Sequence, residues 1–422
     1  MRQRTRARWV VAALTATLLL PAGLTACRGA PAVWWDDDQA TPAGLNPGGV
    51  APALTAPELA VTPEPGATGE LLSTEIGTRT DGQVTEVVLT AADGARIRGR
   101  MRDDGSSWVP DRPLAPTTGY TATVTATGPD GQTSTAQTSF TTMAEPGPRT
   151  GTGLYLFDGR EYGVAMPVTV EFAQPVPPAA RAQVQRRMFV DSDPPQPGVW
   201  HWVENGTQAF YRAPDYWQPG TTLRVWIALA GHPTGGGRYG DADRSATITI
   251  GERVELRVDN RTKSLTVYQD GARTRSLPVS LGKPNTPSSS GQLVVMAKHE
   301  QTVFDTFAEL GPNEGYRVDV AYAMRLTWGG EFIHAAPWSV ADQGVRNVSH
   351  GCINLSTANA RWLFGITKIG DPVTVTGTRA RLAPGNGWTA WDLSWEEFVA
   401  GSALPVPAGL RPRTASQAGV PS

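Results

Sequence analysis

The sequence predicts a mainly β protein. We expect two immunoglobulin-like β-sandwich domains, then a third β-rich domain with one main helix, and a short C-terminal subdomain. From Tyr120 to Thr127, apolar residues alternate with threonines, which is the period-two pattern of a half-buried strand. Gly128-Pro129-Asp130-Gly131 then indicates a hairpin turn before a second threonine-rich strand. A weak repeat between residues 108–118 and 210–221, each followed by an alternating strand, indicates a second copy of this domain.

The N-terminus predicts an export signal that ends in a lipid anchor. Four arginines within the first eight residues precede an apolar segment, residues 9–20, that is too short for a standard membrane span. Leu24-Thr25-Ala26-Cys27 fits the bacterial lipobox. We therefore expect residues 1–26 to be a lipoprotein signal peptide and Cys27 to carry several acyl chains, which anchor stably. The protein would then lie on the extracytoplasmic face of the cell membrane. An ordinary secretory signal with an incidental cysteine is the alternative.

Residues 27–56 are rich in proline, alanine and glycine and predict a flexible stalk. The run Trp34-Trp35-Asp36-Asp37-Asp38 could indicate a calcium or partner site, but a solvated stalk is the preferred interpretation. We place the two sandwiches at residues 57–147 and 148–251. Four aromatic residues of the second sandwich are expected in its core rather than on a glycan-stacking surface: Trp200, Trp202, Tyr211 and Trp217.

The third domain is placed at residues 252–377. A helix is predicted over Thr357 to Ile366, because Ser356 can cap it and its apolar residues lie along one face. Strands are predicted at residues 255–258, 264–268, 293–296 and 371–375. The C-terminal subdomain and tail cover residues 378–422. Its aromatic residues at mixed helical spacing are predicted to dock against the third domain: Trp388, Trp391, Trp395 and Phe398.

Charge and cysteine content exclude several classes of function. A formal net charge of −2, with no basic patch after the N-terminus, argues against a nucleic-acid-binding protein. The chain has two cysteines, and because Cys27 lies in the targeting segment, Cys352 is the sole thiol of the folded protein. An internal disulfide is therefore excluded. With one usable cysteine and scattered histidines, a zinc site is not expected.

Cys352 lies in the sequence Ser349-His350-Gly351-Cys352-Ile353-Asn354, with His334 eighteen residues before it. A thiol attacks as its thiolate, and a nearby imidazole can take its proton. A lone cysteine is more often buried and inert. The polar context with two histidines favours a nucleophile here.

These residues resemble the L,D-transpeptidases with a YkuD-type catalytic domain, in the branch of actinobacterial multidomain lipoproteins. The family motif is a histidine, a gap of roughly fifteen residues, and then Ser/Thr-His-Gly-Cys-hydrophobic-Asn. Three other segments resemble the family as well: Gly282-Lys283-Pro284, Gly315-Tyr316-Arg317-Val318-Asp319 and Ala336-Pro337-Trp338-Ser339.

The resemblance implies a role for each residue of the motif. Cys352 would be the nucleophile and His334 the proton donor and acceptor, with the backbone carbonyl of Ala335 orienting the imidazole. Backbone N–H groups around Gly351 and Cys352 would stabilise the oxyanion. The expected substrate-binding residues are Tyr316, Gly329, Gly330, Trp338, Ser349, His350 and Asn354.

The resemblance also implies peptidoglycan chemistry. The enzyme would take tetrapeptide stems, release D-Ala through a cysteine thioester and form 3→3 cross-links, with carbapenem β-lactams as inhibitors and no cofactor. An L,D-carboxypeptidase or an enzyme that attaches proteins to peptidoglycan is the alternative within the family. A catalytically silent wall-binding scaffold is the alternative of another class.

Overall fold

The computed structural model describes residues 55–315 and 317–412. The predicted signal peptide, Cys27, the stalk up to residue 54, Tyr316 and the last ten residues of the tail lie outside them. The described part is mainly β with few helices, so the predicted fold class is confirmed. None of the helices described is long and apolar enough to cross a membrane.

The first sandwich packs two sheets against each other, with strand orders β1-β3-β7-β6 and β2-β9-β8-β4-β5. All neighbouring strands in them are antiparallel except β2 and β9, which are parallel. The predicted alternating strand is β8, whose residues Tyr120, Ala122, Val124 and Ala126 are buried between partly exposed threonines. Its strands are β1 (Leu59–Thr62), β2 (Ala67–Glu70), β3 (Ile76–Thr80), β4 (Gln83–Ala91), β5 (Arg96–Ile97), β6 (Gly99–Met101), β7 (Ser107–Pro110), β8 (Gly119–Thr127) and β9 (Thr133–Thr142).

The second sandwich has two four-stranded sheets, β11-β13-β16-β15 and β12-β20-β17-β14, and a small sheet β10-β19-β18. The four aromatic residues expected in its core are all buried there. Its elements are β10 (Arg149–Thr150), β11 (Thr152–Leu154), β12 (Glu161–Tyr162), β13 (Val168–Phe172), α1 (Pro178–Gln185), β14 (Met188–Asp193), β15 (Val199–Trp202), β16 (Gln208–Arg212), β17 (Thr222–Ile227), β18 (Pro233–Gly235), β19 (Arg238–Gly240) and β20 (Arg244–Ile250).

The third domain combines a six-stranded sheet, β23-β22-β21-β29-β24-β30, with a four-stranded sheet, β25-β26-β27-β28. Helix α3 has the predicted bounds, and the Ser356 hydroxyl accepts from the Asn359 N–H at its N-terminus. The elements are β21 (Val254–Asp259), β22 (Ser264–Gln269), β23 (Ala272–Pro278), β24 (Ser289–Val294), β25 (Ala297–Asp305), α2 (Phe307–Glu314), β26 (Arg317–Arg325), β27 (Phe332–Ala335), β28 (Ile353–Leu355), α3 (Thr357–Ile366), β29 (Pro372–Thr376) and β30 (Ala380–Arg381). Helix α2, interrupted at Gly311, was not predicted.

The C-terminal segment docks against the third domain, as predicted, and also against the second sandwich. Its helix α4 (Trp395–Ala400) follows a 3-10 turn, and Trp388 and Phe398 are buried in the core of the second sandwich, not only against the third domain. Arg212 of that sandwich donates to the carbonyls of Ala390 and Leu393, each at 3.0 Å. The third domain is contacted through the Gln292 N–H, which donates to the Asp392 carboxylate at 2.8 Å. The aromatic spacing predicts a buried face, but it does not identify the partner.

Replacing Phe398 with alanine should therefore destabilise the second sandwich. Phe398 is fully buried, and removing a buried phenylalanine ring costs about 3–5 kcal/mol of the free energy of unfolding. Urea unfolding of residues 55–412, followed by tryptophan fluorescence, measures this change. Phe157→Ala is the control, since Phe157 is 57% exposed in the same domain and should cost about 0.5 kcal/mol or less. Equal effects of the two substitutions would contradict the assignment.

Candidate active site

Two short buried strands bring the candidate nucleophile and base together. β27 and β28 pair in parallel with His334 opposite Asn354, and Cys352 directly precedes β28. Paired strands lie about 4.8 Å apart, so residues distant in sequence become neighbours across the pair. Cys352 and His334 line one cavity of about 410 Å³, which we call the first cavity. This register brings the two residues to one cavity, and their catalytic roles stay predictions.

The imidazole of His334 has a fixed tautomer. Its Nδ1 donates to the carbonyl oxygen of Ala335 at 2.9 Å, which leaves Nε2 without a proton and able to accept one. The ring is 4% exposed, and burial lowers the pKa of His334 to about 4. The base is therefore neutral at physiological pH. The contact is the one expected of Ala335, whose role in catalysis stays a prediction.

The Cys352 thiol is protonated in the resting site. Burial raises its pKa to about 12, the N–H of Phe332 opposes this shift, and the negative charge of Glu331 adds to it. The sulfur lies 3.7 Å from the carbonyl oxygen of Gly330. Because His334 is also neutral, the pair is a thiol and an imidazole rather than a thiolate and an imidazolium. The proton must then move when the sulfur attacks a carbonyl carbon.

Serine hydroxyls hold the loop before Cys352. The Ser349 hydroxyl donates to the Cys352 carbonyl at 2.6 Å, and the buried Ser288 hydroxyl donates to the Gly351 carbonyl at 2.6 Å. Gly351 has φ of +126°, a region that favours glycine over any residue with a side chain. The loop conformation therefore depends on glycine at this position.

The structure modifies one predicted role. The Gly351 N–H donates to the Ser349 hydroxyl at 3.1 Å, so in this conformation it is engaged within the loop rather than directed to an oxyanion. The physical reason is the turn that Gly351 makes, which directs its N–H toward Ser349. Of the two backbone donors expected around Gly351 and Cys352, the first is therefore engaged elsewhere in this conformation, and the oxyanion role of the Cys352 N–H stays a prediction.

The other predicted substrate residues divide between two cavities. Trp338, Ser349, His350 and Asn354 line the first cavity. Gly329 and Gly330 line a second cavity of about 500 Å³, which lies beside β25. Cys352 and His350 line both cavities, so the thiol lies where they meet. Tyr316 lies outside the described residues, and the binding roles of the whole set stay predictions.

Sequence reasoning missed four polar residues around the site. Lys283 Nζ donates to His350 Nε2 at 2.8 Å, and Ser288 anchors Gly351 as described above. Glu331 accepts from the Ser289 hydroxyl at 2.7 Å, and burial raises its pKa. Asp342 lines the first cavity. Lys283 belongs to a segment that the sequence had singled out. Glu331 and Asp342 lie beside or within the motif but not at its defining positions, and Ser288 is distant from it in sequence.

Within the part of the chain that the structure describes, no group of three histidine, cysteine or acidic side chains could hold a metal ion.

Comparison with known proteins identifies both kinds of domain. Residues 72–233 match the bacterial Ig domain family, and residues 253–375 match the L,D-transpeptidase catalytic domain family. The second match contains every residue of the first cavity.

Two relatives from Mycobacterium tuberculosis are similar over most of the chain. L,D-transpeptidase 2 (strain CDC 1551 / Oshkosh) is 31% identical over 410 residues, which cover 95% of this chain and 97% of the relative. L,D-transpeptidase 5 (strain H37Rv) is 35% identical over 80% of this chain and 74% of its own length. A solved structure of L,D-transpeptidase 3 from the same species, with a faropenem-derived adduct, is 28% identical. It covers 53% of this chain and 97% of its own, with a TM-score of 0.44.

The neutral state of the thiol predicts its reactivity. In residues 28–422, where Cys352 is the sole thiol, alkylation by iodoacetamide should be slow at neutral pH. It should accelerate about tenfold per pH unit up to about pH 9, since a pKa of about 12 leaves the thiolate rare. Mass spectrometry of quenched samples gives the rates. A plateau between about pH 6 and 8 that disappears in His334→Ala would instead indicate a preformed thiolate–imidazolium pair.

Proposed function

Since the chain belongs to the L,D-transpeptidase family, we propose that it forms 3→3 cross-links between peptidoglycan stem peptides. The donor would be a tetrapeptide stem, and its terminal D-Ala would leave. One observation carries this proposal: the Cys352 thiol and the His334 imidazole, held by Ala335, line the same cavity. A thiol with an oriented neutral base is what acyl transfer from an amide requires.

Acylation begins when the Cys352 sulfur attacks the carbonyl carbon between the third stem residue and D-Ala. The thiol proton passes to His334 Nε2, which is free to accept because Nδ1 donates to Ala335. The Cys352 N–H stabilises the oxyanion that forms. The C–N bond then breaks, His334 returns the proton to the departing amine of D-Ala, and a thioester remains on Cys352.

Deacylation transfers the acyl group to the side-chain amine on the third residue of a second stem. The two cavities that meet at Cys352 support this step, because the thioester can occupy one while the acceptor approaches through the other. With water as the acceptor the enzyme would act as an L,D-carboxypeptidase, and with a protein amine it would attach that protein to the wall.

The lipobox before Cys27 supports a position outside the cytoplasm, anchored to the membrane through acyl chains on that residue. The stems of the cell wall are then the available substrates. The two sandwiches between the stalk and the third domain would hold the site away from the membrane surface.

Purified residues 28–422 should convert disaccharide-tetrapeptide into a 3→3 cross-linked dimer with release of D-Ala. Cys352→Ala should form no dimer, because it removes the atom that carries the acyl group. Mass spectrometry with fragmentation of the dimer identifies both products. Dimer formation by Cys352→Ala above trace levels would refute the nucleophile, and tripeptide as the sole product would identify a carboxypeptidase.

Carbapenems should acylate Cys352 irreversibly on the time scale of turnover. The strained lactam carbonyl is an electrophile of the kind that this site attacks, and its leaving amine stays tethered, which slows product release. Intact-protein mass spectrometry after exposure to imipenem or meropenem should show one adduct. His334→Ala should slow its formation by about 10²- to 10⁴-fold, the usual contribution of a positioned base.

The pH dependence provides the control for this prediction. Because burial lowers the pKa of His334 to about 4, the base stays neutral in mild acid. The acylation rate should hardly fall between about pH 8 and 6 on account of His334, and it should be lost as pH falls through about 4. An adduct on Cys352→Ala, or an unmodified wild-type mass, would place the reactive centre elsewhere.

A further inference from the structure

The first cavity has the character of a site for a cation. Its described lining contains one carboxylate, Asp342, and no lysine or arginine. Burial lowers the pKa of His334, which therefore adds no positive charge at neutral pH. The nearest ammonium, Lys283 Nζ, lies outside the lining and donates to His350 Nε2 at 2.8 Å.

A second acceptor lies in the wall of the same cavity. Asn354 is 3% exposed and lines the cavity, and its amide nitrogen donates to the Ser339 hydroxyl at 3.2 Å. Its buried Oδ1 has no hydrogen-bond partner in the structure. A buried amide oxygen without a partner is costly, so a donor in the cavity would satisfy it. The exposed Trp338 ring, 58% accessible on the same wall, can also attract a cation through its face.

Backbone hydrogen bonds hold the turn that carries Asp342. The Asp342 N–H donates to the Ser339 carbonyl at 3.0 Å, and the Gly344 N–H donates to the carbonyl of the core residue Val279 at 2.9 Å. The Asp342 side chain is 17% exposed, and it forms an ion pair with Arg346, whose side chain is 73% exposed. The carboxylate is therefore held at the cavity wall, while the arginine faces solvent.

We propose that Asp342 is a specificity-determining residue that binds the ammonium group of the acceptor stem in the first cavity. The inference rests on the proposed function and names the acceptor class for that site: a primary amine that is protonated in solution, in preference to water. Asn354 Oδ1 accepts a second N–H of the same group.

The bound ammonium becomes a nucleophile by losing one proton to solvent. Its nitrogen then attacks the thioester carbonyl, so that a C–N bond forms and the C–S bond breaks. A second nitrogen proton passes through His334 Nε2 to the departing sulfur, which restores the thiol. The products are one amide, one thiol and one released proton.

The test measures how the acyl-enzyme divides between amine and water. Residues 28–422 are incubated with disaccharide-tetrapeptide at several concentrations, and the ratio of cross-linked dimer to hydrolysed tripeptide is measured by mass spectrometry. This ratio does not depend on how fast the thioester forms. In Asp342→Asn it should fall by about fivefold at low substrate, the upper end of the effect of one partly exposed ion pair. The deficit should shrink as acceptor concentration rises, because binding is what is lost.

Two further variants distinguish whether Asp342 binds the amine or stabilises the turn. Arg346→Gln removes the partner of Asp342 but keeps the carboxylate, so the ratio should stay at the wild-type value or rise. Asp259→Asn is the matched control, since Asp259 also pairs with an arginine but lines neither cavity. Its ratio should match the wild type.

The outcomes are distinct. A wild type that forms no dimer overturns the proposed function itself. A wild type that forms dimer, with an unchanged ratio in Asp342→Asn, overturns this inference alone. An equal loss in Arg346→Gln and Asp342→Asn also overturns it, because the carboxylate would then act by holding the turn.

Discussion

The parallel pairing of β27 with β28 is the constraint on which the site depends. Because successive side chains of a strand point to opposite faces, a shift of one residue would turn His334 away from the cavity of Cys352. The register is fixed by apolar residues on the opposite face of these strands, and Ile333 and Ile353 are almost completely buried in the core of the third domain. The same core packing that stabilises the domain therefore sets the geometry of nucleophile and base. A substitution of Ile333 or Ile353 should therefore disturb the relative position of His334 and Cys352.

Desolvation of this pair also decides its proton chemistry. Desolvation raises the pKa of Cys352 and lowers that of His334, so each neutral form is favoured and no ion pair exists before substrate binds. The negative charge of the half-buried Glu331 acts in the same direction on the thiol. A protonated thiol reacts slowly with general electrophiles and oxidants. Selectivity then follows, because full nucleophilicity requires a substrate carbonyl placed so that His334 takes the proton as the C–S bond forms.

The sequence predictions rested on local patterns, and there is a physical reason why such patterns cannot predict contacts between distant residues. The alternation in β8 and the cap of α3 are encoded within a few residues, and both were found where predicted. The His334–Cys352 pair followed from a family motif. Contacts between residues from different parts of the fold could not be predicted from the sequence. Examples are the hydrogen bond from the Ser288 hydroxyl to the Gly351 carbonyl and the position of Asp342 in the lining of the first cavity. Those contacts depend on which strands and turns pack together, and sequence periodicity contains no information about that.

The sandwiches are structural parts of this enzyme rather than tethered modules. At the joint between the second sandwich and the third domain, the Gly163 N–H donates to the Ile369 carbonyl at 2.8 Å, and a side chain at Gly163 would collide with Asp371. The C-terminal segment then returns to bury Phe398 in the second sandwich. Between the two sandwiches, Glu75 accepts from Arg187 at 2.7 Å. Contacts of this kind exclude free rotation at the joints. The orientation of the two cavities relative to the sandwiches is therefore fixed by the fold.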